Sequence, residues 1–336
     1  MNSDLGIAIV ASPFDWLFAK GTIASCRHFM PGQRITLLVD GQIDTQAAER
    51  KYGISVLDRE SIQDPELRRL GFGWGTTKML FFWYARSETF LYLDSDAVLW
   101  GDLRAKLDFA NTDYFASVVK NGSISDADMR TWYFEIPFVE KHFPEFAWRQ
   151  AAPHFFCPGV FAARRGVFDL AEYKHILRLN EAYPGQFKFG DMGFHNLMVF
   201  RSAQQGRSRV KAVDFQVIFP EHSQEALRQR FRFDASGQPV VNPGDEQVLH
   251  MPDQKPLVDN PRCYSEPMTF FRLQYLKDTE GMTGAEALRR LRVEDVEYHV
   301  LRAQFLRQEK RRKILGLLRG HPGEWRRLFA KLFRPA

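Results

Sequence analysis

Long hydrophobic runs are missing from this 336-residue chain, in which no stretch approaches the roughly 18 consecutive apolar residues of a membrane span. The opening Met-Asn-Ser-Asp-Leu-Gly-Ile has neither the basic n-region nor the long apolar h-region of a secretory signal. Cysteine is scarce. Cys26, Cys157 and Cys263 are odd in number, far apart and without a CxxC pair. That excludes a disulfide framework and a zinc knuckle, and fits a reducing cytoplasm. There is no internal repeat or low-complexity tract, no HExxH and no GxSxG serine elbow. The glycine-rich stretch Gly71 to Lys78 fails as a phosphate-cradling P-loop, because its order is Gly75-Thr-Thr-Lys78 rather than Gly-Lys-Ser/Thr. An even excess of basic residues is also absent. The net charge is +5, but eleven Lys/Arg against two Glu lie between Arg302 and Ala336, a local +9 that leaves the rest at −4. A uniformly basic nucleic-acid-binding domain does not look like this.

What the chain does have is a core. Its residues are 45% hydrophobic and 14% aromatic, enough for one large catalytic domain with a smaller appendage. Gly6 to Ala11 reads as a first buried strand ending in the polar turn Ser12-Pro13-Phe14-Asp15. Arg34 to Val39 and Gly53 to Leu57 are further strands, with a helical stretch near Thr45 to Lys51 between them. Strand alternating with helix predicts an α/β fold with a mostly parallel sheet. A helix follows from Lys78 to about Ser87, and then Thr89 to Leu93, apolar on both faces. Residues 111–119 and Phe155 to Ala163 are strand-like, Lys120 to Gln150 has no clear period, and helices are expected from Gly166 to about Ala182 and from Asp191 to Phe200. Val248-Leu249-His250 closes the apparent catalytic region.

The central chemical signal is Phe90-Leu-Tyr-Leu-Asp-Ser-Asp-Ala-Val-Leu-Trp100. A buried parallel strand delivers its last residues to the carboxyl edge of the sheet, where ligands bind in open α/β folds. Residues i and i+2 of an extended segment face one side. Asp94 and Asp96 therefore present two hard oxygen ligands to one Mn²⁺ or Mg²⁺, which neutralises a diphosphate. The competing reading is a pair of solvated turn aspartates. A second chemistry also fits, the first motif of haloacid-dehalogenase-type phosphatases, with Asp94 as nucleophile and Asp96 as general acid–base. That mechanism needs a later acidic pair, and after Asp191 come only Met192, Gly193 and Phe194.

Four blocks in order resemble the glycosyltransferase family 8 and glycogenin group, which has the GT-A fold. Thr77-Lys78-Met-Leu followed by Phe90 to Asp96 resembles that group's Thr-Lys-Leu helix and metal-binding DxD. Phe156-Cys-Pro-Gly-Val-Phe161 resembles its Phe-Asn-Ser-Gly-Val-Phe strand, and Gly190-Asp-Met-Gly-Phe-His-Asn196 its Gly-Asp-Gln-Gly-x-Leu-Asn block. Leu249-His250 with Lys255-Pro256 resembles its His-x-x-Gly-x-x-Lys-Pro motif. The blocks are scattered over roughly residues 5–258.

The resemblance implies roles position by position. Asp94 and Asp96 would bind Mn²⁺ (or Mg²⁺), with His250 as third protein ligand. Lys78 and Lys255 would contact the nucleotide-sugar donor, Lys255 lending positive charge to the departing diphosphate. Ala11, Ser12 and Asp15 would lie near the nucleoside, and Ser95 belongs with the donor-binding triplet. Asp191 would sit beside the acceptor and the reacting sugar. Asn196 would orient the sugar or simply pack, and Gly159 would let backbone approach the substrate or mark a bulge. The chain departs from the group at Met192 in place of Gln, at Cys157-Pro158 in place of Asn-Ser, and near Asp253, where the His-to-Lys spacing is one residue shorter. These departures bear on stereochemistry and leaving-group contacts, not on the metal site.

The expected organisation is a GT-A catalytic domain over 1–275 and a helical C-terminal region over 276–336. Thr283-Gly-Ala-Glu286 has capping-box spacing. Trp325, Leu328, Phe329, Leu332 and Phe333 fall on one helical face, with Arg326, Arg327, Lys331 and Arg334 elsewhere. Aromatic anchors opposite a polybasic face suit an in-plane helix on anionic lipid. The alternative is a terminal helix docked on its own domain or a partner. The sequence thus predicts a hexosyltransferase-like enzyme using a UDP-sugar and a saccharide or lipid-linked acceptor in lipopolysaccharide, capsule or other surface-glycan synthesis. It would be cytoplasmic and peripheral on the inner membrane face, with no nucleic-acid partner. Besides the phosphatase, a catalytically inactive nucleotide-sugar-binding protein at the membrane remains, because of Met192.

Overall fold

The computed structural model describes residues 4–73, 75–118 and 124–319. The first half runs β1 (Leu5–Ala11), α1 (Trp16–Phe29), β2 (Arg34–Val39), α2 (Gln46–Tyr52), β3 (Ser55–Leu57) and α3 (Pro65–Leu70). A 3-10 turn at Thr77–Leu80 leads into α4 (Phe81–Tyr84), β4 (Thr89–Leu93), β5 (Ala97–Trp100) and β6 (Tyr114–Ser117). Three short helices follow, α5 (Asp126–Trp132), α6 (Ile136–His142) and α7 (Trp148–Ala151), in the stretch where the sequence has no clear period. Then come β7 (Val160–Arg164), α8 (Leu170–Ala182), α9 (Met192–Gln204), β8 (Val210–Val213), β9 (Gln216–Ile218) and α10 (Gln224–Arg230). The chain continues through β10 (Gln247–His250) and α11 (Glu266–Glu280) to α12 (Gly284–Arg319).

The main sheet has seven strands in the order β3-β2-β1-β4-β7-β6-β8. Neighbours are parallel except at β7, which runs antiparallel to both β4 and β6. Helices cover both faces, and alternation along the strands explains why. In β4, Leu91 and Leu93 join the core with α1 and α11, whereas Phe90 and Tyr92 join the core with α4, α8 and α9. A strand with both faces in apolar contact must be apolar throughout, as Thr-Phe-Leu-Tyr-Leu nearly is. A second sheet of three strands, β5-β10-β9, packs beside the first.

Local chemistry sets several boundaries that sequence reading displaced. The helix expected from Gly166 starts at Leu170, because the Asp169 side chain caps it by accepting from Glu172 N–H. Phe155 to Gly159 is not strand. The backbone N–H and C=O of Phe156 go to the Asn196 side chain instead of a ladder, at 2.9 Å each. The helix expected through Ser87 ends at Tyr84.

Residue 275 lies inside α11, whose Met268, Phe271 and Tyr275 belong to the main core. Fully buried Arg272 on α11 bonds Asp295 (2.7 Å) and Glu294 (3.2 Å) of α12, and Lys20 of α1 meets Glu294 at 2.6 Å. Tyr298 packs edge-on against Phe18, and Phe305 lies 5.0 Å from Phe14. The start of α12, directly after Thr283, is thus docked on α1 and α11. Trp325 to Phe333, the proposed amphipathic helix, lies outside the described residues. Among the described residues no helix is long and apolar enough to cross a membrane.

Candidate active site

Three elements meet at the carboxyl end of β4. Asp94 leaves the strand and its N–H donates to Gly159 C=O at 2.8 Å, while Ala97 N–H turns back to Asp94 C=O at 3.1 Å. The hydroxyl of Thr22 on α1 lies 2.6 Å from Ser95 C=O and 2.7 Å from Ala97 C=O, fixing the turn from below. β5 then pairs antiparallel with β10, placing His250 opposite Ala97, and Met251 N–H donates to Asp96 C=O. Ladder register therefore carries His250 to the Asp-Ser-Asp triplet from 154 residues away.

Asp94, Asp96 and His250 offer ligand atoms that all lie within 4.8 Å of one another. His250 Nε2 is 3.5 Å from Asp94 Oδ2 and 3.4 Å from Asp96 Oδ1. It is buried yet has no hydrogen-bond partner. An orphaned imidazole nitrogen facing two carboxylates fits a divalent cation, and the N/O donor set suits Mn²⁺ or Mg²⁺. A ligand role for Nε2 requires the proton on Nδ1. Gln216 on β9 sets its Nε2 2.9 Å from Nδ1 and leaves its Oε1 unpartnered, so turning the amide end for end would bring the acceptor that such a proton needs.

The electrostatics show what the protein does with these charges. Burial opposes ionisation of Asp94, but Lys78, His250 and the Tyr92 hydroxyl overcome it and hold the carboxyl well below its usual range. Asp96 is lowered likewise, against burial, by Lys255 and His250. Burial also works against a charged His250, and the two carboxylates outweigh it and raise its pKa well above the ordinary value. A proton on His250 would serve the same two carboxylates as a bound cation would, so proton and metal would compete for the cluster.

The remaining expected residues fall in three positions. Lys255 is ion-paired to Asp96 at the rim and donates to Pro252 C=O at 3.0 Å. Ala11, Ser12 and Asp15 form the turn after β1, closed by Ser12 N–H donating to Asp15 Oδ1 at 2.6 Å. Burial pushes the Asp15 carboxyl up to about 7. Lys78, expected as a donor contact, lies inside the site. Its ammonium is buried between Asp94 (2.9 Å) and Asp191 (3.3 Å) and donates to Pro158 C=O. Asn196 is likewise fully buried, its amide spent on Phe156 and Met192 backbone, so it packs beneath the site rather than touching sugar. Gly159 leaves room not for substrate but for His250. A Cβ there would lie 2.0 Å from His250 Cε1.

Residues that sequence reading passed over complete the site. The Tyr92 hydroxyl donates to Asp94 Oδ1 at 2.7 Å, and its pKa is raised by burial and by Asp94, so it stays a donor. Gly75, at φ +82°, lets the glycine-rich loop lie against Gly190 and Asp191, where a Cβ would come within 2.4 Å of Asp191 N. Its signal was the Gly-x-Gly-x-Gly spacing. A phosphatase would need a second acidic pair here. Among the described residues the cluster is completed by a histidine, with lysines beyond it.

Solved structures decide the architecture. The chain is similar to the galactosyltransferase LgtC, crystallised with donor and acceptor sugar analogs, at 16% identity and TM-score 0.52, over 85% of this chain and 99% of that one. The fold is GT-A. A second GT-A likeness is to the bifunctional glycosyltransferase WbbM, at 11% identity and TM-score 0.51, covering 83% of this chain and 51% of WbbM. No protein-family model matches the sequence, and no curated protein matches it. At such identities the GT-A likeness speaks for the fold, and the site must carry the chemistry.

Proposed function

We propose that the chain is a metal-dependent glycosyltransferase that moves a hexose from a UDP-linked donor to an acceptor hydroxyl. The observation that carries this reading is the Asp94–Asp96–His250 cluster at the carboxyl edge of a GT-A sheet. Mn²⁺ or Mg²⁺ held there supplies a Lewis acid for the diphosphate as it leaves. Asp94 and Asp96 hold the ion, Tyr92 and Lys78 orient Asp94, and Gln216 orients His250. Lys255, at the rim beside Asp96, adds positive charge to the leaving diphosphate. The Ala11–Asp15 turn receives the nucleoside, and Asp191 faces the reacting sugar.

A saccharide acceptor is supported on the Asp191 side. Trp132 and Phe189 stack at 4.8 Å while 45% and 46% exposed, and Phe189 holds a left-handed φ of 46° two residues before Asp191. An exposed aromatic pair on a strained turn marks a ligand surface. The polybasic tail supports an anionic membrane surface as second partner and a lipid-linked acceptor in surface-glycan synthesis. On this reading the protein works at the inner membrane face.

Calorimetry with a panel of nucleotides, with and without Mn²⁺, tests the reading. Metal-dependent UDP binding lost in Asp96→Ala is expected. Turnover of phosphate esters without nucleotide binding would sink it. Met192 favours one alternative, an inactive nucleotide-sugar binder, and donor hydrolysis across a nucleotide-sugar panel separates the two. Sedimentation with anionic liposomes, before and after deletion of residues 302–336, tests the tail. Equal binding by both proteins would exclude it as the anchor.

A further inference from the structure

Behind Asp191 lies a buried histidine that none of the roles above uses. His195, one turn along α9, is fully buried among aromatic rings, with centroids 4.9 Å from Phe161, 5.7 Å from Phe82 and 6.1 Å from Phe156. Its Nε2 is 2.9 Å from the hydroxyl of Tyr114, itself buried on β6. Its Nδ1 faces Asp191 Oδ2 at 3.5 Å. Both of those facing atoms are buried and lack a hydrogen-bond partner, and Lys78 Nζ reaches the same oxygen only at 3.3 Å.

Donor chemistry leaves one self-consistent assignment. A carboxylate only accepts, so the nitrogen facing it must carry the proton. A neutral imidazole then has a bare Nε2, and the Tyr114 hydroxyl is its donor. Burial lowers the His195 pKa, which fits the neutral ring. This tautomer gives both orphaned atoms a partner once the gap closes by a few tenths of an ångström, and catalytic contacts commonly tighten in the loaded enzyme. We propose that Tyr114 and His195 form a positioning relay for Asp191, holding Oδ2 so that Oδ1 faces the reacting sugar. The proposal rests on the transferase reading. It also gives α9 a use for a histidine where the resembling block has leucine.

Two readouts test it. In full-length protein labelled with [¹⁵N]histidine, with His195 assigned by its loss in His195→Leu, the resonances should show a protonated Nδ1 and a bare Nε2. In turnover of the UDP-sugar that the wild-type protein hydrolyses or transfers, His195→Leu should lower kcat about 10- to 100-fold, as misplacement of a reacting group does. KM for the donor and the Mn²⁺ affinity should stay within about twofold, since other residues hold the UDP moiety and the ion. Tyr114→Phe, a smaller change to the core, should lower kcat in the same way and act non-additively with His195→Leu. His195→Asn sets an amide N–H where Nδ1 was and should recover much of kcat. His195→Gln sets it where Nε2 was and should not.

A protonated Nε2 in the wild-type protein overturns the relay. So does wild-type kcat in His195→Leu, or equal recovery by Gln and Asn. The tautomer is read without turnover, so wild-type inactivity towards every nucleotide-sugar would sink the transferase reading alone while the relay is judged by the resonances.

Discussion

Replacing Gly159 by alanine is the sharpest perturbation of the candidate metal site, because it alters none of the proposed ligand residues. An ideal Cβ at 159 would lie 2.0 Å from His250 Cε1 and 2.6 Å from each ring nitrogen. Ordinary contact begins at 3.4 Å, so the ring or the Gly159 backbone must move by about 1.4 Å. The backbone is poorly placed to give way, since Gly159 C=O accepts from Asp94 N–H and the next residue enters β7. The imidazole therefore moves, and its present approach to the two carboxylates, at 3.4 and 3.5 Å, changes with it. Overpacking of this kind costs about 1–3 kcal/mol. Displacing a ligand should weaken Mn²⁺ binding by at least the roughly 10- to 100-fold seen when an outer-shell partner is lost. Titration calorimetry with Mn²⁺ and urea unfolding measure the two effects. The control is the double-mutant cycle with His250→Ala. Once the ring is gone, Gly159→Ala should cost nothing further, a coupling equal to its whole single-mutant penalty. Wild-type Mn²⁺ affinity in Gly159→Ala, or an undiminished stability penalty in the His250→Ala background, would refute the reasoning.

Two further outcomes follow from buried charge. Asp15 keeps its proton up to about pH 7 when folded but releases it near 3.8 when unfolded, so it contributes instability that grows as pH rises between those values. Asp15→Asn keeps the Oδ1 acceptor for Ser12 N–H and should remove that slope. At about 1.4 kcal/mol per pKa unit the ceiling is near 4, and partial exposure reduces the expected gain at pH 8 to about 1–2 kcal/mol. Urea unfolding at pH 4 and pH 8 checks it, and a variant less stable than wild type at pH 8 would reverse the assignment. Arg272→Met leaves Asp295 with no arginine partner and Glu294 with Lys20 as its close partner. Breaking a buried pair this way costs about 3–5 kcal/mol, readable in chemical denaturation. A loss below 1 kcal/mol would mean that the cluster is not what holds α12 to the body.

The sequence announces what is local and hides what is assembled across distance. Asp94 and Asp96 were legible because a doubly apolar strand ends at them, and His250 because Lys255-Pro256 follows it. Lys78 and Asn196 were legible as members of the site, but how deeply each is buried was not. A helix motif does not state which face it turns inward. Gln216, Thr22 and the Tyr114–His195 pair left no local signal, because each meets its partner only through strand register or helix packing. Val248-Leu249-His250 stood out as the close of the catalytic region, and its pairing with Ala97–Trp100 did not.

That pairing governs how the protein can change over time. His250 is aimed at the triplet by a ladder with a two-residue period, so one residue gained or lost inside Ala97–Trp100 or Gln247–His250 would turn the imidazole to the opposite face. Between β9 and β10, outside α10 and the core residues Phe219, Leu227 and Phe231, residues 234–238 and 242–245 form exposed loops. Insertions, tags and lineage-specific ornament can accumulate there with the active site undisturbed, and they can be grafted there by design. The same change a few residues later would dismantle the candidate metal site without replacing any of its three residues.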